Sequence, residues 1–345
     1  MGRKPTVNLN MPPHMHPRLQ RSGKVYYYVH IKTPEGKRKD VPLGSDYILA
    51  LQAYAKYNTI EVPKQEVLFG DVIKKYIAEA LPKLAANTIR THKSDIKHVI
   101  KFFNDAPLDQ IKPMHIGLFL DRYSEKPTTA NRCKRLISTL WNHARRWGYT
   151  DLPNPCEGVK GHTLKKRTVY ITDEVFDLVH RHASAPLQDA LELAYLTGQR
   201  PADTLAMTVR DIQGEHLIVR QEKTKQPLRI IIAGQLATLL ARIQARKKTY
   251  KTICGALLVN TQGKPLTQPV LRNHFDQAKE DAIKAMPEFT DAIKEFWFYD
   301  LRAKAADDTS DLRGEVAASN LLGHESVMTT KRHYLRRGKI VEPTK

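Results

Sequence analysis

The sequence predicts a mainly α-helical, multidomain protein with small β elements. Apolar residues recur at three- and four-residue intervals through most of the 345 positions. Strand-like alternation is confined to two short stretches, one near the N-terminus and one after residue 215. The chain also exceeds a single ordinary core, since domains usually run about 100–200 residues. The expected division is a small β-sheet plus helix over residues 1–64, a helical domain over 65–160 and a mixed α/β domain over 161–345.

The elements follow in order. "KVYYYVHIKTPEGKRKDVPLG" reads as strand, Pro-Glu-Gly turn and strand, rich in β-branched and aromatic residues from Val25 to Ile31. Neighbouring residues on a strand face opposite sides, so at least one of Tyr26, Tyr27 and Tyr28 is a packing residue. "DYILALQAYAKYN" then has helical spacing, and "VPKQE" reads as a linker. Four helical segments follow: "FGDVIKKYIAEALPKL", "TIRTHKSDIKHVIKFFN", "HIGLFLDRYSE" and "TTANRCKRLISTLWNHARRWGYT". In the last, Leu136, Leu140 and Trp141 form an apolar stripe, while Arg132, Lys134, Arg135, Arg145 and Arg146 supply charge. Pro153 and Pro155 end it, and "EGVKGHTLKKRTVYIT" reads as an extended basic connector. "APLQDALELAYLTG" is a helix closed by Gly198, and Pro201 suits the first turn of the helix that restarts at once. Arg200 therefore stands at a helix–helix junction, where a guanidinium and N-terminal amides could meet one anion. "EHLIVRQEKTKQPLRIII" alternates like a hairpin with Lys223 and Lys225 at its tip, and the chain from Val270 onward is again helical.

Charge narrows the function. Lys and Arg number 56 against 36 Asp and Glu, a formal net charge of +20, which implies a polyanionic partner, nucleic acid before all others. Residues 1–64 alone carry eleven Lys/Arg against four acids, with Lys37, Arg38 and Lys39 as a basic run beside the hairpin turn. No run of about 18 apolar residues suggests a membrane span, and the start "MGRKPTVNLN" has no apolar signal region, so a cytoplasmic protein is expected. The three cysteines are odd in number and far apart, against a disulfide framework or a CxxC zinc site. His14 and His16 lie two apart, but no acidic or cysteine residue stands beside them in sequence, so no metal is expected. Nucleotide-binding and HExxH motifs are absent from the sequence, and no cofactor is expected.

"LTGQRPADTLAM", "QEKTKQPLRI", "FYDLRAKAADD" and "LLGHESVMTTKRHY" occur in that order between residues 196 and 334. They resemble the successive boxes of the tyrosine recombinases, particularly phage-type integrases. The resemblance implies a small N-terminal module that binds arm-type DNA sites, a helical SAM-like core-binding domain and a mixed α/β catalytic domain. It makes Arg200 and Arg302 the two catalytic arginines, Lys223 the hairpin lysine, His324 the late histidine and Tyr334 the nucleophile, with Asp203 supporting Arg200. Two departures are plain: Tyr299 stands where the family usually has histidine, and His324 and Tyr334 are one residue further apart than in the family.

The chemistry calls for these residue types independently. A phosphodiester attacked by a phenol gathers negative charge on its non-bridging oxygens, and two guanidiniums offer forked, permanently charged donors to them. A free tyrosine has a pKa near 10, so it attacks well only where cations or hydrogen bonds favour the phenolate. The departing sugar oxygen needs a proton, which an ammonium such as that of Lys223 can deliver. The expected function is a site-specific DNA recombinase, an integrase that cuts and rejoins strands through a 3′-phosphotyrosine intermediate. The alternatives are an invertase, dimer resolvase or transposon integrase, or a cleavage-deficient DNA-binding protein of the same fold. The partners implied by the resemblance are double-stranded attachment sites and a homotetramer on paired sites in a bacterial host cell. A DNA-bending protein and an excisionase are compatible with it.

Overall fold

A computed structural model of the chain describes residues 11–32, 37–57, 66–222, 225, 227–338, 341, 343 and 344. The chain divides into two units, residues 1–165 and 166–345.

The first unit holds two separate hydrophobic clusters. Strands β1 (Met15–Leu19), β2 (Val25–Lys32) and β3 (Arg38–Gly44) form an antiparallel sheet in that order. Helix α1 (Tyr47–Tyr57) starts where the Asp46 carboxylate accepts from the backbone N–H groups of Ile48 and Leu49, both at 2.9 Å. It covers one sheet face, burying Ala50 and Tyr54 with Met15, Val29 and Leu43. Tyr27 packs on that face, whereas Tyr28 lies on the other, with the Arg18 guanidinium 5.1 Å from its ring centroid. Strand β1 carries only weak alternation, "MHPRL", and its five residues pair with Val25–Val29.

The second cluster belongs to the expected helical region. Helix α2 (Phe69–Lys75) passes through a π turn at Tyr76–Ala80 and a 3₁₀ turn at Leu81–Lys83. Then come α3 (Ala86–Phe103), α4 (Pro113–Arg122) and α5 (Pro127–Arg146). The stripe predicted on α5 is buried: Leu136, Leu140 and Trp141 all pack in the core. The basic connector has no regular secondary structure from residue 159 to 172. Its first part is pinned by Asn131, which donates to the carbonyl of His162 at 2.7 Å and accepts from its N–H at 2.8 Å.

In the second unit α6 (Asp173–Arg181), α7 (Ala185–Thr197) and α8 (Pro201–Ala206) precede a small antiparallel sheet of β4 (Ile212–Gln213), β5 (His216–Arg220) and β6 (Pro227–Ile231). After it run α9 (Gly234–Lys248), α10 (Gln268–Ala285), α11 (Thr290–Glu295), α12 (Asp300–Arg313), α13 (Glu315–Leu322) and α14 (Val327–His333). Every residue of α12 from Asp300 to Asp307 is buried. Its three alanines let α7 and α13 approach, and its charged residues are buried with hydrogen-bond or ion-pair partners. Lys304, for instance, lies 3.0 Å from Asp308 and 2.5 Å from Asp173.

Candidate active site

Helix ends bring the expected residues together. Helix α7 closes at Gly198, whose φ of +64° is the left-handed conformation that glycine adopts without strain. Two residues on, Arg200 is the N-cap of α8 and Pro201 its first residue, as the sequence suggests. Tyr299 is the N-cap of α12, and Arg302 lies in that helix's first turn. Helix α13 closes at Gly323, φ +65°, and His324 follows directly. Tyr334 is the C-cap of α14, its N–H donating to the Thr330 carbonyl at 2.8 Å. Helix termini leave backbone groups without intrahelical partners, and here the polar side chains of the site take them up.

Arg302 does so most fully. It is 0% exposed, and donates from Nη1 to the Gly198 carbonyl at 2.7 Å and from Nη2 to the Leu322 carbonyl at 2.8 Å, near the C-termini of α7 and α13. Nη2 also lies 3.0 Å from Nε2 of His324. A guanidinium can only donate, so Nε2 is the acceptor and the ring proton sits on Nδ1, which donates to Thr330 Oγ1 at 2.8 Å. Burial and then Arg302 and Arg200 push the His324 pKa down to about 4, so the ring is neutral at physiological pH.

Arg200 is placed by two neighbours. Nη1 donates to Oε1 of Gln221 at 3.2 Å and lies 3.6 Å from the buried Asp203 carboxylate. Asp203 in turn accepts from the N–H of Glu222 at 2.9 Å, which ties the arginine to the end of β5. Gln221, fully buried, also donates to Gln199 and to the Leu322 carbonyl, each at 2.8 Å. Neither Gln221 nor Thr330 is marked by sequence reasoning. Their only signal is that they fall inside the hairpin and LLGH boxes. Lys223 lies outside the described residues.

Tyr334 is 8% exposed, and its hydroxyl lies 2.8 Å from that of Tyr299. Its ring centroid is 5.1 Å from the Arg302 guanidinium and 5.0 Å from the His324 ring. Burial opposes ionisation of Tyr334. The Tyr299 hydrogen bond and the charges of Arg302 and Arg200 outweigh it, so its pKa falls below the ordinary phenol value. Tyr299 moves the other way, pushed up to about 12 by burial and by its bond to Tyr334, so Tyr334 is the member of the pair that ionises, and Tyr299 donates to its phenolate. Tyr299 is 40% exposed, not part of the core formed by its neighbour Phe296. A cleft of about 1210 Å³ is lined by Arg200, Tyr299, His324, Arg332 and Tyr334. Arg302 lies buried behind the Tyr334 ring.

Three of the cations flanking Tyr334 are engaged by the protein's own carboxylates. Arg336 contacts Asp300 at 2.7 Å, and its backbone N–H donates to Asp307 at 2.9 Å. Arg337 contacts Asp308 and Asp311 at 3.3 and 3.2 Å, and Lys331 contacts Glu315 at 2.5 Å. These pairs moor the tyrosine segment to α12 and α13. In the first unit the Arg132 guanidinium grips the buried Asp95 carboxylate through Nε and Nη2, at 2.6–2.9 Å. Arg135, Arg145 and Arg146 are exposed on the same helix and Lys134 is half-buried, while Lys37, Arg38 and Lys39 are exposed at the start of β3.

Residues 160–339 match the model of the phage integrase family, and residues 75–143 that of the phage integrase N-terminal SAM-like domain. The integrase of Escherichia phage lambda is 24% identical over 258 residues, covering 73% of this chain and 71% of the relative. Among solved structures, a lambda integrase tetramer bound to a Holliday junction superposes with a TM-score of 0.68 at 20% identity, over 97% of this chain and 99% of that one. The Tn1549 transposon integrase in complex with transposon right end DNA superposes with a TM-score of 0.65 at 14% identity, over 80% and 96% of the two chains. Both superpositions speak to the fold.

Proposed function

The chain belongs to the phage integrase family and is a site-specific tyrosine recombinase, and we propose that Tyr334 is its nucleophile, forming a 3′-phosphotyrosine bond within the cleft shared with Arg200, Tyr299 and His324. The observation that supports this most is that Tyr334 meets both Tyr299 and the Arg302 guanidinium, groups that favour its phenolate.

In this reading the phosphate enters the cleft beside Arg200, whose guanidinium is held by Asp203 and Gln221. The Tyr334 ring swings from over Arg302 toward the phosphorus, and Arg302 then turns its Nε, which makes no hydrogen bond among the described residues, to a non-bridging oxygen. Tyr299 donates to the phenolate oxygen until attack. The phenolate oxygen bonds to phosphorus as the bond to the sugar 5′-oxygen breaks, and Lys223 protonates that leaving oxygen. His324, neutral, orients Arg302 through Nε2. The energy of the broken bond is retained in the phosphotyrosine, and the 5′-hydroxyl of a second strand reverses the step.

The substrate is double-stranded DNA at paired attachment sites of a phage or other mobile element. Lambda integrase forms a tetramer on a Holliday junction, and the same assembly is proposed for this chain. Residues 1–64 serve as an arm-site module, with Lys37, Arg38 and Lys39 on phosphates, and 65–160 as the core-binding domain, with Lys134, Arg135, Arg145 and Arg146 facing DNA. The commitment of Arg132 to Asp95 makes its contribution to DNA secondary. Tyr334→Phe should abolish covalent complexes on a nicked suicide substrate while DNA affinity stays within a few-fold of the parent. A phosphotyrosine at another position in that variant overturns the assignment.

A further inference from the structure

The face of the β1–β2–β3 sheet turned away from α1 gathers three residues that sequence distance hides. His30 on β2 stands directly opposite Asp40 on β3, and His16 on β1 stands opposite Tyr28, which makes it a diagonal neighbour of His30. One ligand-capable atom from each of His16, His30 and Asp40 lies within 4.8 Å of the others. The two imidazole centroids are 4.2 Å apart, Nε2 of His16 is 3.7 Å from Asp40 Oδ2, and Nδ1 of His30 touches Asp40 Oδ1.

A second observation points to a ligand. Both ring nitrogens of His16 are shut off from solvent, and no side chain among the described residues hydrogen-bonds to either. A buried nitrogen loses its water without compensation unless something binds its lone pair.

We propose that His16, His30 and Asp40 bind one divalent transition-metal ion of the zinc class. Two imidazoles and a carboxylate suit zinc, which takes nitrogen and oxygen donors in a tetrahedron, whereas magnesium and calcium prefer oxygen alone. Bonds of about 2.1 Å at tetrahedral angles place donor atoms roughly 3.4 Å apart. Side-chain rotations that part His30 from Asp40 and draw His16 slightly closer bring the donors to that spacing, and the fourth position is left for water. Asp40 keeps its contact with Arg18, which orients the carboxylate as outer partners of metal sites do. The ion joins all three strands of a domain whose buried apolar core, among the described residues, is Met15, Val29, Leu43, Ala50 and Tyr54. So small a core gains most from such a cross-link.

The test uses untagged full-length protein stripped with a chelator and titrated with zinc chloride by calorimetry, with cobalt(II) as a spectroscopic probe. One equivalent of zinc is expected, with cobalt giving the intense visible bands of a tetrahedral site. His16→Ala, His30→Gln and Asp40→Asn should each weaken zinc binding at least as much as loss of an outer-shell partner does, about 10–100-fold. His14→Ala, an exposed neighbour outside the cluster, should bind as the parent does. Unchanged metal-free melting of His30→Gln, whose side chain is 44% exposed, separates lost ligation from lost folding. Absence of a bound equivalent overturns the site, as does parental affinity in both histidine variants or magnesium binding as tight as zinc.

Discussion

Replacing Tyr299 by phenylalanine removes one oxygen atom from the 2.8 Å contact with Tyr334 and leaves the ring in place. A hydrogen bond to a charged group is worth about 1.5–3 kcal/mol. Tyr299 is 40% exposed, so water can substitute in part as donor, and the lower end applies. About 1.5 kcal/mol corresponds to roughly one pKa unit. The sign follows from Tyr299 donating: without it the phenolate is less stabilised, and the Tyr334 pKa rises. Below that pKa the reactive fraction falls roughly tenfold per unit, so cleavage at neutral pH should slow by about tenfold. Its pH–rate limb should move about one unit to the alkaline side, and at high pH the variant should approach the parent. Single-turnover cleavage of a nicked substrate across the pH range reads both effects, and thermal melting should barely change. Tyr299→His, which restores a donor, should recover most of the rate. Parental rate and pH profile in Tyr299→Phe refute the reasoning, and so does a uniform loss without a shifted limb, because that indicates misplacement of Tyr334.

Lys223→Ala should lose cleavage of ordinary DNA and regain much of it when the 5′-bridging oxygen is replaced by sulfur, since a thiolate leaves unprotonated; equal impairment on both substrates argues for a phosphate-gripping role alone. Deleting residues 1–64 should remove binding at one class of DNA site and keep weak core cleavage, with the salt slope of log affinity reduced by about 0.9 for every phosphate that the shortened chain leaves unneutralised; unchanged slope and footprint tell against an arm-site module. His324 has a folded pKa of about 4 against an ordinary 6.5, so the unfolded chain takes up its proton first. Its contribution to stability is complete above pH 6.5 and is lost as pH falls toward about 4. Denaturant unfolding of the parent should therefore weaken more steeply across that window than unfolding of His324→Gln, and parallel curves contradict the neutral assignment.

The reading of sequence went furthest where neighbours along the chain carry the information. Helical spacing located α3 and α5, and the Gly198–Arg200–Pro201 run correctly placed an arginine between a left-handed helix end and a helix start. The four boxes brought Arg200, Arg302, His324 and Tyr334 into one expectation, and the fold assembles them. What sequence could not show was which partner each charge takes. Arg132 reads as one basic residue among several on α5, yet it grips Asp95, 37 positions away. Arg336 and Arg337 stand in the basic run around Tyr334, yet carboxylates of α12 hold them. Tyr299 stands where the family usually has histidine, and its contact with Tyr334, 35 positions on, puts it in the cleft. His16 has no acidic neighbour in sequence, but strand register delivers His30 and Asp40 to its side. Periodicity, caps and turn residues are local, so sequence determines the elements and the residue types at their ends. Ion pairs and hydrogen bonds between distant segments depend on packing and strand register, and those exist only once the chain has folded.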